Sequence, residues 1–497
     1  MDPLKFIITS KGNLTKKYGK NYSKLVTLLN KLKKSDKTKK LKTEIVFVDD
    51  AASMKKFKVK KAAASLSPRE CKKAIDRLYT KWSPAYVVIF GAQDVFPFQD
   101  LLNSADDEDS VVPSDLPYAC SASYGTNVNA FTGPSRVVGR IPDVPGNGDL
   151  AYITTLIENI IKHKPLPESD YINYFAVSAK VWKRSTQLSL KSIFGNYTHL
   201  LYSPPASGKY AKTQLKSRTH FYNCHGAPDD PNYYGQEGND YPSALQTKDL
   251  SKKISYGTIV AAECCYGAQV YDLKATGNKV LSIANQYLVQ QAIAFMGSST
   301  IAYGPADSQG LADLITQFFI KRVLDGASSG RAMLEAQQEF LTKSGPDLDP
   351  YELKTLAQFY LLGDPSLQPV DPAHEKGMSY DNTIENRRMN LSAKGANLKK
   401  SINPSEKTAL GKPKYTKELG EVLKKAKINR STMRESVYKI PKKGAAGKGV
   451  AKSIVQAGTK YRAFVKETKT KGTARFRVLV VKESNEQMLG WKIYVSR

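Results

Sequence analysis

The chain has 497 residues, 41% of them apolar and 10% aromatic, which is enough to bury a large core and excludes disorder throughout. No apolar run reaches the ~18 residues of a membrane-spanning helix, and the opening MDPLKFIITSKGN reads as a first strand, without the apolar core or cleavage site of a secretion signal. Five cysteines, two of them adjacent, argue against a disulfide framework, and without a Cys-x-x-Cys or His-x-x-x-His pair the chain offers no ordinary metal cluster. The expectation is a cytoplasmic protein with no metal, no cofactor and no membrane contact.

The net charge of +29 is unevenly placed. Residues 1–85 carry 23 basic and 7 acidic side chains, residues 86–370 carry 22 and 28, and residues 371–497 carry 30 and 11. The middle is slightly acidic, so a polyanion groove there is excluded. The basic flanks leave open an acidic or nucleic-acid partner.

In chain order, residues 1–168 alternate strand and helix, from KFIIT through NYSKLVTLLNKLKK, TEIVFVDD and SPRECKKAIDRLYTKW to YVVIFG. This pattern predicts a small α/β subdomain with a parallel sheet. A loop-rich stretch follows, and its acidic run at Ala105–Ser110 reads as a solvated loop. Residues 169–370 form a second α/β unit with strands HFYNC, TIVAAE and FMGSS, two long helices, and the closing LAQFYLLGDPSLQPV. Residues 371–415 read as a flexible linker, and 416–497 as a small basic α+β module with one helix and three strands.

Chemistry gathers at two strand ends. His225 follows FYNC and precedes Gly226, while Cys265 follows TIVAAEC and precedes Tyr266-Gly267. Adjacent parallel strands share one crevice at their carboxyl ends, so a base and a thiol meet there if these strands are neighbours. Histidine has the pKa to take a thiol proton near neutrality, and Gly226 lets a carbonyl approach the amides of an oxyanion hole. The competing reading makes these inert core residues. Their spacing of 40 residues and the Cys-x-Gly pattern at Cys265 favour catalysis.

Together with YVVIFGAQDVFPF, SDLPYA, VVGRIPD, FMGSSTIAYG and LLGDPSL, these features make residues 1–370 resemble the caspase-like cysteine peptidases, and most closely the gingipain-type family. The resemblance implies a caspase-like parallel-sheet catalytic unit preceded by a smaller α/β subdomain, and a polypeptide substrate. It leaves two nucleophiles open. Strand parity places Glu263 and Cys265 on one face and Cys264 on the other, and in the clan an acid two residues before the nucleophile accompanies basic specificity. Cys265 is therefore the nucleophile, Cys264 the alternative, and Glu263 the expected substrate-binding residue for a Lys or Arg before the scissile bond. His220 and Cys224 read as core.

Such specificity makes the Lys-rich stretches, Lys31–Lys42 and the linker, the most accessible substrates in the chain itself, and self-cleavage is expected within about residues 375–415, with the basic module as a pro-segment. The alternatives are a caspase-like regulatory or nucleic-acid-binding protein whose basic module carries the interaction, with Tyr461, Phe464, Phe476, Trp491 and Tyr494 as stacking candidates, and an acyl-transfer enzyme using the same cysteine and histidine.

Overall fold

The computed structural model describes residues 2–63, 67–277, 279–371, 384–413, 415–441, 458–470 and 473–497. In chain order the strands that organise it are β1 Leu4–Thr9, β2 Lys42–Phe47, β3 Tyr86–Phe90, β4 Val138–Ile141, β5 Tyr174–Ala179, β6 Leu200–Ser203, β7 Thr219–Asn223, β8 Ile259–Ala262, β9 Ala294–Ser298, β10 Tyr303–Gly304 and β11 Phe359–Gly363. The basic module adds β12 Glu406–Thr408, β13 Arg434–Lys439, β14 Lys460–Thr470, β15 Thr473–Ser484 and β16 Gln487–Ser496.

Ten strands form a single sheet in the order β2-β1-β3-β4-β11-β9-β8-β7-β5-β6. Every neighbouring pair is parallel except β9 and β11, which are antiparallel. The sheet thus has two five-stranded halves of opposite direction, joined along that one pair, and the first half takes its fifth strand, β11, from the end of the expected second unit. The central strands are mostly apolar and buried on both faces, because helices cover the sheet on each side. Ser67, Asp149 and Ser328 fix helix starts by accepting hydrogen bonds from the amides of Glu70, Tyr152 and Arg331.

The recurring segments noted in the sequence hold this sheet together. Arg140 of VVGRIPD is fully buried, and its Nε and Nη2 donate to Asp115 of SDLPYA at 2.9 and 2.6 Å. Its Nη1 donates to the carbonyls of Gly91 and Phe96. Asp364 of LLGDPSL meets Lys5 of β1 at 2.6 Å, and Lys5 also reaches Asp36 at 2.7 Å. Removing one partner from such a pair strands a buried charge, so Arg140→Ala is expected to cost about 3–5 kcal/mol of stability. Denaturant unfolding measures it, and a loss below about 1 kcal/mol contradicts the structural role.

Three expectations are corrected. The acidic run is only partly solvated: Glu108 and Ser110 are exposed, but the side chains of Asp107 and Asp109 are buried and bracket Lys354 Nζ at 2.5 and 2.6 Å. The Lys31–Lys42 stretch is not flexible, since the helix Tyr22–Thr38 continues through most of it, burying Leu32 and Asp36, and β2 begins at Lys42. Within the expected linker, Ile384–Ser401 is a helix against Ser329–Ser344 and residues 403–408 carry short strands; residues 372–383 lie outside those described.

The basic module is an antiparallel sheet, β10-β16-β15-β14-β13-β12, in which β10 belongs to the catalytic half. The helix Thr416–Lys425 packs Leu419, Val422 and Leu423 on Phe464, Leu479 and Val481. Tyr461, Phe464, Phe476 and Tyr494 are buried, whereas Trp491 is exposed.

Candidate active site

β7 and β8 are parallel neighbours, with Tyr222 opposite Ala262. Counting three residues on from each brings His225 and Cys265 to the same crevice. Their backbones touch there: a side-chain carbon added to Gly226 would lie 1.8 Å from the Cys265 carbonyl oxygen, so no residue but glycine fits. Among the described residues, the amides of Gly226 and Cys265 have no hydrogen-bond acceptor, which leaves both free for a ligand oxygen.

The loop after Cys265 is held in an uncommon shape. Tyr266 has φ +52°, its amide donates to the Thr300 carbonyl, and its hydroxyl donates to Asp109 at 2.7 Å. Ser298 Oγ donates to the Cys264 carbonyl at 2.8 Å, and Ile301 N donates to Asp109 at 2.9 Å. The FMGSSTIAYG segment and the acidic run together fix the turn that follows Cys265. Backbone strain of this kind persists only where surrounding contacts over-determine it.

His225 is gripped on three sides. Its backbone exchanges hydrogen bonds with Tyr234, its Nε2 meets Gln236 Oε1 at 2.8 Å, and Trp182 and Tyr241 lie against the ring at 4.3 and 5.2 Å between centroids. Gln236 Oε1 can only accept, which puts the proton on Nε2 and leaves the Nδ1 lone pair available. Nδ1 has no regular hydrogen bond. Burial holds the imidazole well below its usual range, with Arg475 adding to the effect, so the ring is neutral. Burial likewise pushes the Cys265 thiol up to about 12, against the pull of Arg475.

The two cysteines lie in different surroundings. Cys265 Sγ lies 3.5 Å from the Ala302 carbonyl beside the crevice, while Cys264 is fully buried and faces Cys224. His220 is core, bonded to Tyr287 and the Ser217 carbonyl.

Glu263 is also buried, but a residue the sequence reading missed stands in front of it. Asp313 meets Arg497 Nη2 at 2.7 Å, and Glu263 sits behind, hydrogen-bonded to Asp313 and to Thr316. Burial raises both carboxyls, but Glu263 is raised further, by the neighbouring Asp313 carboxylate as well, whereas Arg497 and the hydrogen bond from Glu263 hold Asp313 down, so the shared proton rests on Glu263 and the charge on Asp313. The guanidinium also stacks over Trp182 at 4.6 Å and donates to the Pro305 carbonyl at 2.9 Å. Gly304 leaves the space: a side-chain carbon there would fall 2.1 Å from Arg497 Nη2. An acid inside the apolar pattern of GLADLITQFF was the available signal for Asp313. Gln236 had none.

An imidazole and a thiol at the mouths of adjacent strands are the pair of groups that a cysteine peptidase of caspase-like fold needs. The family model of peptidase family C25, the gingipain family, matches residues 6–370, and the chain belongs to that family. No curated protein matches the chain. The match ends where β11 and its following turn end, so the basic module lies beyond it. Among the described residues no group of three or more His, Cys, Asp or Glu is placed to hold a metal ion, and no helix is long and apolar enough to cross a membrane.

Proposed function

We propose that the protein is a cysteine endopeptidase that uses His225 and Cys265 and cleaves after Arg or Lys. The observation that carries this reading is the crevice itself, in which a neutral imidazole, a thiol, two unpaired amides and an acid-lined pocket converge. His225 Nδ1 takes the Cys265 proton, and the thiolate adds to the scissile carbonyl. The developing oxyanion is met by the amides of Gly226 and Cys265. His225 then gives its proton to the leaving amine as the C–N bond breaks, leaving a thioester. Water, deprotonated by the same imidazole, hydrolyses it and restores the thiol.

Asp313 supplies the countercharge for a cationic side chain before the scissile bond, and Glu263 supports it as a neutral hydrogen-bond donor. A peptide library with each residue at that position tests the reading: preference for Arg and Lys is expected, and preference for Asp or Asn overturns it.

Self-processing follows as a second expectation. Cleavage after Lys or Arg within residues 375–415 needs an extended chain, so sites inside the helix Ile384–Ser401 require unwinding first. Intact mass of the wild-type protein and of Cys265→Ala, followed over hours, should separate only for wild type. Identical masses with no fragment starting after Lys or Arg remove the idea.

The location in the cytoplasm stays a proposal from the sequence alone. For the basic C-terminal module, the contacts favour an internal acidic partner over nucleic acid. Lys482 pairs with Asp347 at 2.8 Å, Lys492 with Glu352 at 2.7 Å, and Ser436 donates to Asp106 at 2.8 Å.

A further inference from the structure

The last strand of the basic module lies in the crevice in the manner of a substrate. Ser496 and Val495 of β16 pair antiparallel with Tyr303 and Gly304 of β10, and the Arg497 amide donates to the Ala302 carbonyl at 2.9 Å. Ala302 is the residue whose carbonyl also faces Cys265 Sγ. A strand added to a free sheet edge is a general way of seating an extended peptide, with main-chain bonds giving affinity and side-chain pockets giving selectivity. Here the side chains are seated as well. Val495 packs on Ala179 and Trp182, and Arg497, with no exposed surface, fills the pocket of Asp313, Trp182 and Gly304. The Arg497 backbone carbonyl lies against the His225 ring.

We infer that the basic module is a tethered, substrate-like inhibitor, with Arg497 occupying the pocket for the residue before the scissile bond and β16 blocking the crevice. The inference rests on the His225–Cys265 reading for its consequence, though not for its geometry. Both side chains are only 2% exposed, and β16, Arg475 and Arg497 are among what covers them.

Charge explains why the module docks at this place. Its cations Lys482, Lys492 and Arg497 face Asp347, Asp349, Glu352 and Asp313 on the catalytic half, and Tyr494 donates to Asp349 at 2.9 Å. Tethering raises the effective concentration of β16 at the crevice far above that of a free peptide. The grip on Arg497 is nevertheless incomplete. Its Nε and Nη1 have no acceptor, so Asp313 holds it through Nη2 rather than by the two-pronged contact a guanidinium can make. Such an occupant is displaceable, as a releasable block requires.

The test uses the full chain and two readouts. Alkylation of Cys265 by iodoacetamide, followed by mass spectrometry, reports whether the crevice is covered whatever the chemistry performed there. Hydrolysis of a peptide amide with Arg before the reporter group reports activity. Arg497→Ala and Arg497→Glu are each expected to raise both rates at least tenfold, and Arg497→Lys to stay near wild type. Lys482→Ala with Lys492→Ala removes two partly exposed cations that do not touch the crevice, and should raise both rates in the same direction even if an Arg497 variant folds poorly. Faster alkylation without hydrolysis supports the block and removes the peptidase dyad. Unchanged alkylation in every variant overturns the inference.

Discussion

Replacing Cys265 by alanine is expected to abolish peptide hydrolysis and labelling by an electrophilic Arg-containing peptide, whereas Cys264→Ala keeps activity within about threefold of the parent. The loss at Cys265 is set by the chemistry. Without a nucleophile no thioester forms, and a drop of at least ~10³-fold corresponds to about 4 kcal/mol of lost transition-state stabilisation. Cys264 faces Cys224 on the other side of the strand end and cannot reach a carbonyl lying against His225. The comparison is best made in wild-type and Arg497→Ala chains side by side, so that occupation of the crevice does not mask the difference. Labelling lost only in Cys264→Ala would reverse the assignment.

The same experiment run against pH checks the electrostatics. With the crevice covered, burial pushes the Cys265 thiol up to about 12, so its alkylation should climb steeply only at strongly alkaline pH. Freeing the crevice returns water to the thiol and reduces that desolvation, which moves the rise to lower pH. Identical pH profiles with and without Arg497 would show that β16 is not what desolvates the thiol.

Much of this was legible in the sequence because it is local. β8 announces itself as a short apolar run and β7 as an aromatic-rich one, and His225-Gly226 and Cys265-Tyr266-Gly267 lie just beyond their ends. Parity alone was enough to expect different surroundings for Cys265 and Cys264. What stayed hidden depends on tertiary neighbours. The acidic run reads as solvated until Lys354, nearly 250 residues away, is folded against Asp107 and Asp109. The single ten-stranded sheet depends on the pairing of β9 with β11, which no pattern within either strand specifies. Glu263 is separated from the Arg497 guanidinium by Asp313, which comes from another element and has no local pattern linking it to Glu263. The basic module read as a nucleic-acid candidate because its charge was counted without the acids it meets.

Asp313→Asn is expected to lower kcat/KM for Arg-containing peptides by ~10²–10³-fold, the order associated with removing one partner of a buried charge pair, while Glu263→Gln changes it by less than about fivefold. The two acids differ because one proton is shared between them. Glu263, raised by burial and by its neighbour, is neutral and donates to Asp313, and a glutamine amide can donate in its place while its oxygen still accepts from Thr316. Asp313 carries the charge that faces the guanidinium, and asparagine cannot replace it. Peptides with citrulline in place of Arg isolate the electrostatic part, since citrulline keeps the shape and loses the charge. Wild type should discriminate strongly between the two, and Asp313→Asn weakly. Gly304→Ala separates space from charge: a methyl group 2.1 Å from the Arg497 Nη2 position should exclude Arg, with less effect on short side chains. If Glu263→Gln instead matches Asp313→Asn on Arg peptides and spares citrulline, the charge resides on Glu263, and the pairing expected from strand parity replaces the one argued from Asp313.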